Sequence, residues 1–195
     1  MSTNAPRCIV LGGVNGSGKT TSSRTILADT LKVMTFVNAD VIAQGIAGFD
    51  PDSANVRASR IMLERLHELA ELRADFAFET TLAARTTAEW LRTVRDSGYM
   101  VDLHYFWLAS ADLAVARVAH RVRRGGHNVA EATIRRRYRH SVQNFFQLYR
   151  PVSSTWHVYD NSAMILPQEV AYGDAETETI INQAAWDQMK KEGAA

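Results

Sequence analysis

The chain has 195 residues, 46% of them hydrophobic and 22% charged, with 22 Lys+Arg against 21 Asp+Glu and a formal net charge of +1. These values suit one globular domain and exclude a disordered, collagen-like or coiled-coil chain. They give no overall electrostatic case for nucleic acid or a membrane surface. One cysteine, Cys8, excludes an intrachain disulfide and fits a reducing compartment.

Residues 1–7 carry neither the long apolar core nor the cleavage site of a secretory signal, and read as a flexible tail. No apolar stretch approaches the roughly 18 residues of a membrane span, so a cytoplasmic protein is expected. The apolar run 8–12 (CIVLG) predicts a first strand, and a helical pattern follows over 19–31.

Between them lies Gly13-Val-Asn-Gly-Ser-Gly18-Lys19-Thr20, a full match to G-x-x-x-x-G-K-[ST] in its required strand–helix setting. Glycines let consecutive N–H groups curl around a phosphate, and the helix start adds its dipole. The residues expected to hold the nucleotide are Gly13, Asn15, Gly16, Ser17, Gly18, Lys19, Thr20 and Thr21. Lys19 supplies charge to the β/γ-phosphates and Thr20 a hydroxyl for Mg²⁺. The motif specifies ATP or a similar triphosphate and leaves the phosphoryl acceptor open.

The next strand, 34–38 (MTFVN), leads into Ala39-Asp40. Asp40 emerges at the sheet edge that carries the loop, where it can take the proton of an attacking hydroxyl or cap the following short helix. A helix over 53–73 precedes the strand 75–79 (DFAFE), which delivers Glu79, Thr80 and Thr81 to the same edge. These groups suit a hydroxylated acceptor or a metal-bound water, or else simple capping. Arg85, just beyond, can reach back to phosphate or stay in water. Neither strand end has the long apolar run closed by two acids that marks motor ATPases.

A helix over 86–97 ends at Gly98, followed by a strand at 100–108. Helices at 111–124 and 131–149 then flank Gly125-Gly126. Residues 117–139 hold eight arginines and one acid, Glu131. Arg117, Arg121 and Arg124 share a helical face, and Arg135–Arg137 return on the second helix. Such a helix–Gly-Gly–helix, about 112–140, reads as a lid that carries guanidinium groups to a transferring phosphoryl. Arg123 and Arg139 are assigned to solvent. Nucleic-acid binding is the rival use, with Tyr138, Phe145, Phe146 and Tyr149 close by, although their spacing is that of a buried helix face.

A strand at 156–160 ends in Asp160-Asn161-Ser162, read either as an adenine pocket or as a turn. A weaker strand, 169–172, and a helix over 175–191 complete the chain, with 189–195 as a tail. The six histidines show no metal-ligand spacing. The alternation predicts a single domain over 8–188, a three-layer α/β/α P-loop NTPase with a mainly parallel sheet of five or six strands.

Gly13–Thr20, Asn38-Ala39-Asp40, Phe78-Glu79-Thr80-Thr81-Leu82, Gly125-Gly126-His127 and Tyr159-Asp160-Asn161-Ser162 together resemble the zeta-toxin-like P-loop kinases and their small bacterial predicted-ATPase members. Zeta toxins phosphorylate the 3′-hydroxyl of UDP-N-acetylglucosamine with ATP and Mg²⁺. The resemblance implies Asp40 as general base, with Glu79 and Thr81 contacting the acceptor. It matches Arg121 and Arg136 to the lid arginines of the family. The alternative reading is a nucleotide-binding toxin or interaction module with little turnover, for example one silenced by an antitoxin.

Overall fold

The computed structural model describes residues 5–24, 32–47, 54–126, 128–163 and 166–194, and of residues 22–24 the backbone alone. Its centre is a seven-stranded sheet in the order β2-β3-β1-β4-β5-β6-β7. The strands are β1 (Arg7–Gly13), β2 (Phe36–Val37), β3 (Phe76–Thr80), β4 (Met100–Trp107), β5 (Thr155–Asp160), β6 (Gln168–Asp174) and β7 (Glu178–Ile180). The first five run parallel, β6 is antiparallel to β5, and β7 is antiparallel to β6. Cys8, Ile9, Val10 and Leu11 in β1 are fully buried. A strand so apolar on both sides belongs at the centre of a sheet covered on both faces.

The helices are α1 (Lys19–Arg24), α2 (Ala39–Ala47), α3 (Asn55–Glu71), α4 (Arg85–Asp96), α5 (Ala111–Arg123), α6 (Glu131–Asn144) and α7 (Gln183–Ala194). The main core joins Val10, Phe78, Leu103, Tyr105 and Trp156 to side chains of α3, α4, α5, α6 and α7. A smaller cluster, Ile9, Leu11, Val33, Ala77 and Phe106, lies on the other face.

Several expected boundaries are corrected. The sheet has seven strands rather than five or six, because Glu178–Ile180 pairs with β6. The start of the expected 175–191 helix is instead a turn and a strand. Asp174 accepts the N–H groups of Glu176 and Thr177 and closes that turn. Helix α7 begins only at Gln183, with the Asn182 side chain accepting Ala185 N–H. It continues to Ala194 with Met189 buried, so 189–194 is helix rather than tail. At the other end Arg7 is already strand, its N–H bonded to Asp75. The expected helix 131–149 is α-helical only to Asn144 and continues as a π-turn over Phe145–Tyr149. The wider turn lets Phe145 and Tyr149 both bury, and Tyr149 Oη reaches Ala84 O at 2.6 Å. Residues 25–31 of the expected 19–31 helix lie outside the described residues, as does His127.

Candidate active site

The strand order puts β1 between β3 and β4, so the chain leaves β1 in one direction and β4 in the other. Ligands in open α/β sheets bind in the crevice at the strand ends where this reversal occurs. The loop of residues 13–18 sits there, between β1 and α1. Gly13, Gly16 and Gly18 have φ of 143°, 82° and 83°. A Cβ at Gly13 would lie 2.4 Å from Phe106 O, and one at Gly18 would lie 2.4 Å from Asn161 Nδ2. Both positions therefore require glycine on two counts, conformation and space. Ser17 N–H donates to Val14 O, and Asn161 Nδ2 donates to Ser17 O. The stretch 160–162 is thus a turn, with Asp160 accepting Ser162 N–H, and its Asn161 braces the loop.

Lys19 is 5% exposed and donates to Val14 O at 2.9 Å. Burial pulls its pKa down from the ordinary value, against the opposing pull of Glu79 and then of Asp40. Glu79, at the end of β3, stands 3.6 Å from Lys19 Nζ. Its Oε2 accepts Thr20 Oγ1 and Asn38 Nδ2, each at 2.8 Å. Thr20 hydroxyl, Glu79 carboxylate and the glycine cradle form an oxygen set beside an amide-rich hollow. This is the donor chemistry that fits a nucleoside polyphosphate with hydrated Mg²⁺.

Asn38, rather than Asp40, caps the helix that follows β2. Its Oδ1 accepts the N–H groups of Asp40 and Val41 at 2.8 and 3.2 Å, so Asn38 is the cap of α2. Asp40 sits in the first turn, exposed, with its carboxylate on a cavity of about 550 Å³ that also opens onto Asn15, Lys19 and Glu79. Thr81 lines the same cavity. The cavity extends away from the loop between α3 and α4, over Met62, Leu66, Phe78 and Trp90. Asn144 Nδ2 donates to Leu82 O at 2.7 Å, next to the lining residue Thr81.

The arginine-rich segment divides its charges among several tasks. Arg137 on α6 donates to Asn15 Oδ1 at 3.1 Å and lines the cavity. Arg136, its expected counterpart, is exposed and outside the lining. The i, i+3 and i+4 steps from the buried Ile134 and Tyr138 turn residue 137 toward the loop and 136 away. Arg121 is half-buried at the end of α5, close enough to Lys19 that its charge also lowers the lysine pKa. Arg117 donates to Ser162 O, and Arg135 pairs with Glu131 and Asp112. Arg123, Arg139 and Arg85 are exposed. Tyr138, Phe145 and Tyr149 are core residues, and Phe146 packs against the core. Asn38 and Asn161, named at the sequence level only within longer motifs, cap α2 and brace the loop, and Arg137 rather than Arg136 is the arginine of its run that reaches the loop.

The loop and sheet define a P-loop kinase-like α/β domain. The chain belongs to the AAA domain family, whose pattern it matches over residues 8–143. It is 30% identical over 132 residues to an uncharacterized protein of Haemophilus influenzae, spanning 68% of this chain and 92% of the relative. Its fold is similar to that of a chain from the PezAT toxin-antitoxin system of Streptococcus pneumoniae, with a TM-score of 0.60 and 16% identity over 100% of this chain and 87% of that one. AvrRxo1-ORF1:ORF2 bound to sulphate gives a TM-score of 0.73 at 13% identity, over 96% of this chain and 64% of that one. A gluconokinase of Sinorhizobium meliloti gives 0.52 at 15% identity, over 97% and 94%. No helix among the described residues is long and apolar enough to cross a membrane.

Proposed function

We propose that the protein is an ATP- and Mg²⁺-dependent kinase that phosphorylates a hydroxyl of a small molecule bound in the cavity beside the loop. The observation that carries this reading is the cavity itself, which brings Asp40 and Lys19 to one surface. The kinase names among the structural neighbours, gluconokinase included, support it. Sugar nucleotides such as UDP-N-acetylglucosamine are the acceptors that the resemblance to zeta toxins suggests. That likeness, with PezAT and AvrRxo1-ORF1:ORF2 among the neighbours, also supports an antitoxin-like protein partner.

ATP supplies the phosphoryl group and Mg²⁺ the charge neutralisation on its oxygens. The loop amides of 13–18 grip the phosphate tail, and Lys19 turns from Val14 O to the β/γ oxygens. Thr20 and Glu79 are the residues that would hold Mg²⁺, directly or through its waters, which would give Glu79 a metal-side role ahead of an acceptor-side one. Asp40 takes the proton as the acceptor oxygen bonds to phosphorus and the bond to the leaving diphosphate breaks. Arg137, with Arg121 behind it, meets the charge that builds on the transferred group. Asp40→Asn should keep ATP affinity and lose about 10²–10⁴-fold in transfer rate, the usual contribution of a positioned base. Transfer at the unaltered rate by this variant would remove Asp40 from the role.

A further inference from the structure

The two halves of the cavity differ in charge. Both of its permanent cations, Lys19 and Arg137, stand at the loop end, where they bond Val14 O and Asn15 Oδ1. Its two acids, Asp40 and Glu79, border the same end. Beyond Asp40 no described lining residue is a lysine, arginine, aspartate or glutamate. The polar groups there are Asn55, Ser59, Thr86 and Thr87, none of which carries a charge, and the imidazole of His67. Between them lies an apolar wall of Met62, Leu66, Phe78 and Trp90. The Trp90 ring is 5.4 Å from that of His67 and 6.0 Å from that of Phe78, which fixes its face.

We infer that the acceptor is an uncharged hydroxyl compound carrying a flat ring, of nucleoside or aryl-glycoside type, rather than a phosphorylated metabolite or a sugar nucleotide. A buried phosphate is held most strongly by a paired lysine or arginine, and this half of the cavity offers hydroxyls, amides and the His67 imidazole in their place. The two cations at the loop are required by the triphosphate. An anionic acceptor would have to pass Asp40 with no lysine or arginine among the described lining to receive it. A ring stacked along Trp90, with hydroxyls toward Asn55, Ser59 and the threonines, uses every surface the cavity presents. A volume of about 550 Å³ accommodates a ligand of that size. The inference rests on the kinase reading for the identity of the reacting hydroxyl, and on the cavity alone for the ligand class.

The other three tryptophans, Trp107, Trp156 and Trp186, are at most 1% exposed, so Trp90 dominates fluorescence changes on ligand binding. The test titrates uridine, thymidine and nitrophenyl glycosides, each beside its phosphorylated counterpart, with the loop saturated by a non-hydrolysable ATP analogue. An uncharged member should quench the signal and bind at least about 10-fold more tightly than its phosphorylated form. Trp90→Ala should raise the KM for that compound about 10-fold while the ATP KM stays within about twofold. Ser59→Arg places a cation in the neutral half and should invert the preference toward the phosphorylated form. Equal or tighter binding of the phosphorylated forms, no binding by any uncharged compound, or an unaltered preference in Ser59→Arg overturns the inference. Phosphoryl transfer from labelled ATP is read separately. Transfer to phosphorylated acceptors alone would keep the kinase reading and sink the ligand class, whereas binding of uncharged rings without transfer would do the reverse.

Discussion

The phosphate loop and the acceptor cavity adjoin, yet they are built from different materials. The loop is a backbone device: three glycines at positive φ, a main-chain bond from Ser17 to Val14 and a side-chain brace from Asn161. The cavity is a side-chain device, assembled from α2, α3, the end of β3 and α4, with Asn144 of α6 bonded to Leu82 O next to Thr81. A backbone device tolerates almost no substitution, because each glycine is fixed both by conformation and by the lack of room for a Cβ. A side-chain device changes its ligand when one residue changes, and one fold then serves many acceptors.

The comparison can be broken most sharply at the loop. Lys19→Ala should lower turnover by about 10³-fold, measured by transfer from labelled ATP, because a preorganised buried charge at the phosphoryl oxygens has no substitute nearby. The lid comes next: Arg137→Ala should cost about 10²-fold in kcat, and Arg136→Ala should stay within about twofold of the parent. Equal losses in the two variants would place the lid charge elsewhere on α6.

Gly18→Ala should weaken ATP affinity and cost about 1–3 kcal/mol of stability, read by calorimetry and chemical unfolding. Its Cβ meets Asn161 Nδ2 at a φ of +83°. Asn161→Ala, paired with it, would relieve the contact and leave the conformational strain, separating the two costs.

The smallest effect lies inside the sheet, outside the lining of the cavity. His104 is stacked on His157 at 5.1 Å and lies 3.2 Å from Tyr159 Oη. Burial first, then the charges of His157 and Arg7, depress its pKa from 6.5 to about 3. The unfolded chain therefore binds more protons than the folded one between those values. Stability should be fullest above about pH 6.5 and fall as the pH drops toward about 3, and His104→Gln should flatten that slope in urea midpoints without altering ATP affinity.

Much of this was legible beforehand, and the reasons are local. Cys8-Ile-Val-Leu11 followed by glycines, lysine and threonine can only be a buried strand running into a phosphate loop. Asp40 and Glu79 could be placed at one edge because each closes an apolar run. The buried face of α6 was legible in its apolar spacing, but not which flank of it meets the loop, where Arg137 lines the cavity and Arg136 stays exposed. Nor was the capping role of Asn38, which frees Asp40, or the turn at Asp174 that replaces the first part of the last helix.

The amino-acid sequence by itself determined the nucleotide end of this protein, because a loop that binds through its own backbone must write its glycines at fixed intervals along the chain. Only the tertiary structure decided the acceptor end. Trp90, Ser59 and Asp40 are far apart in sequence, and what they recognise depends on the space and charge left between helices once the core has packed.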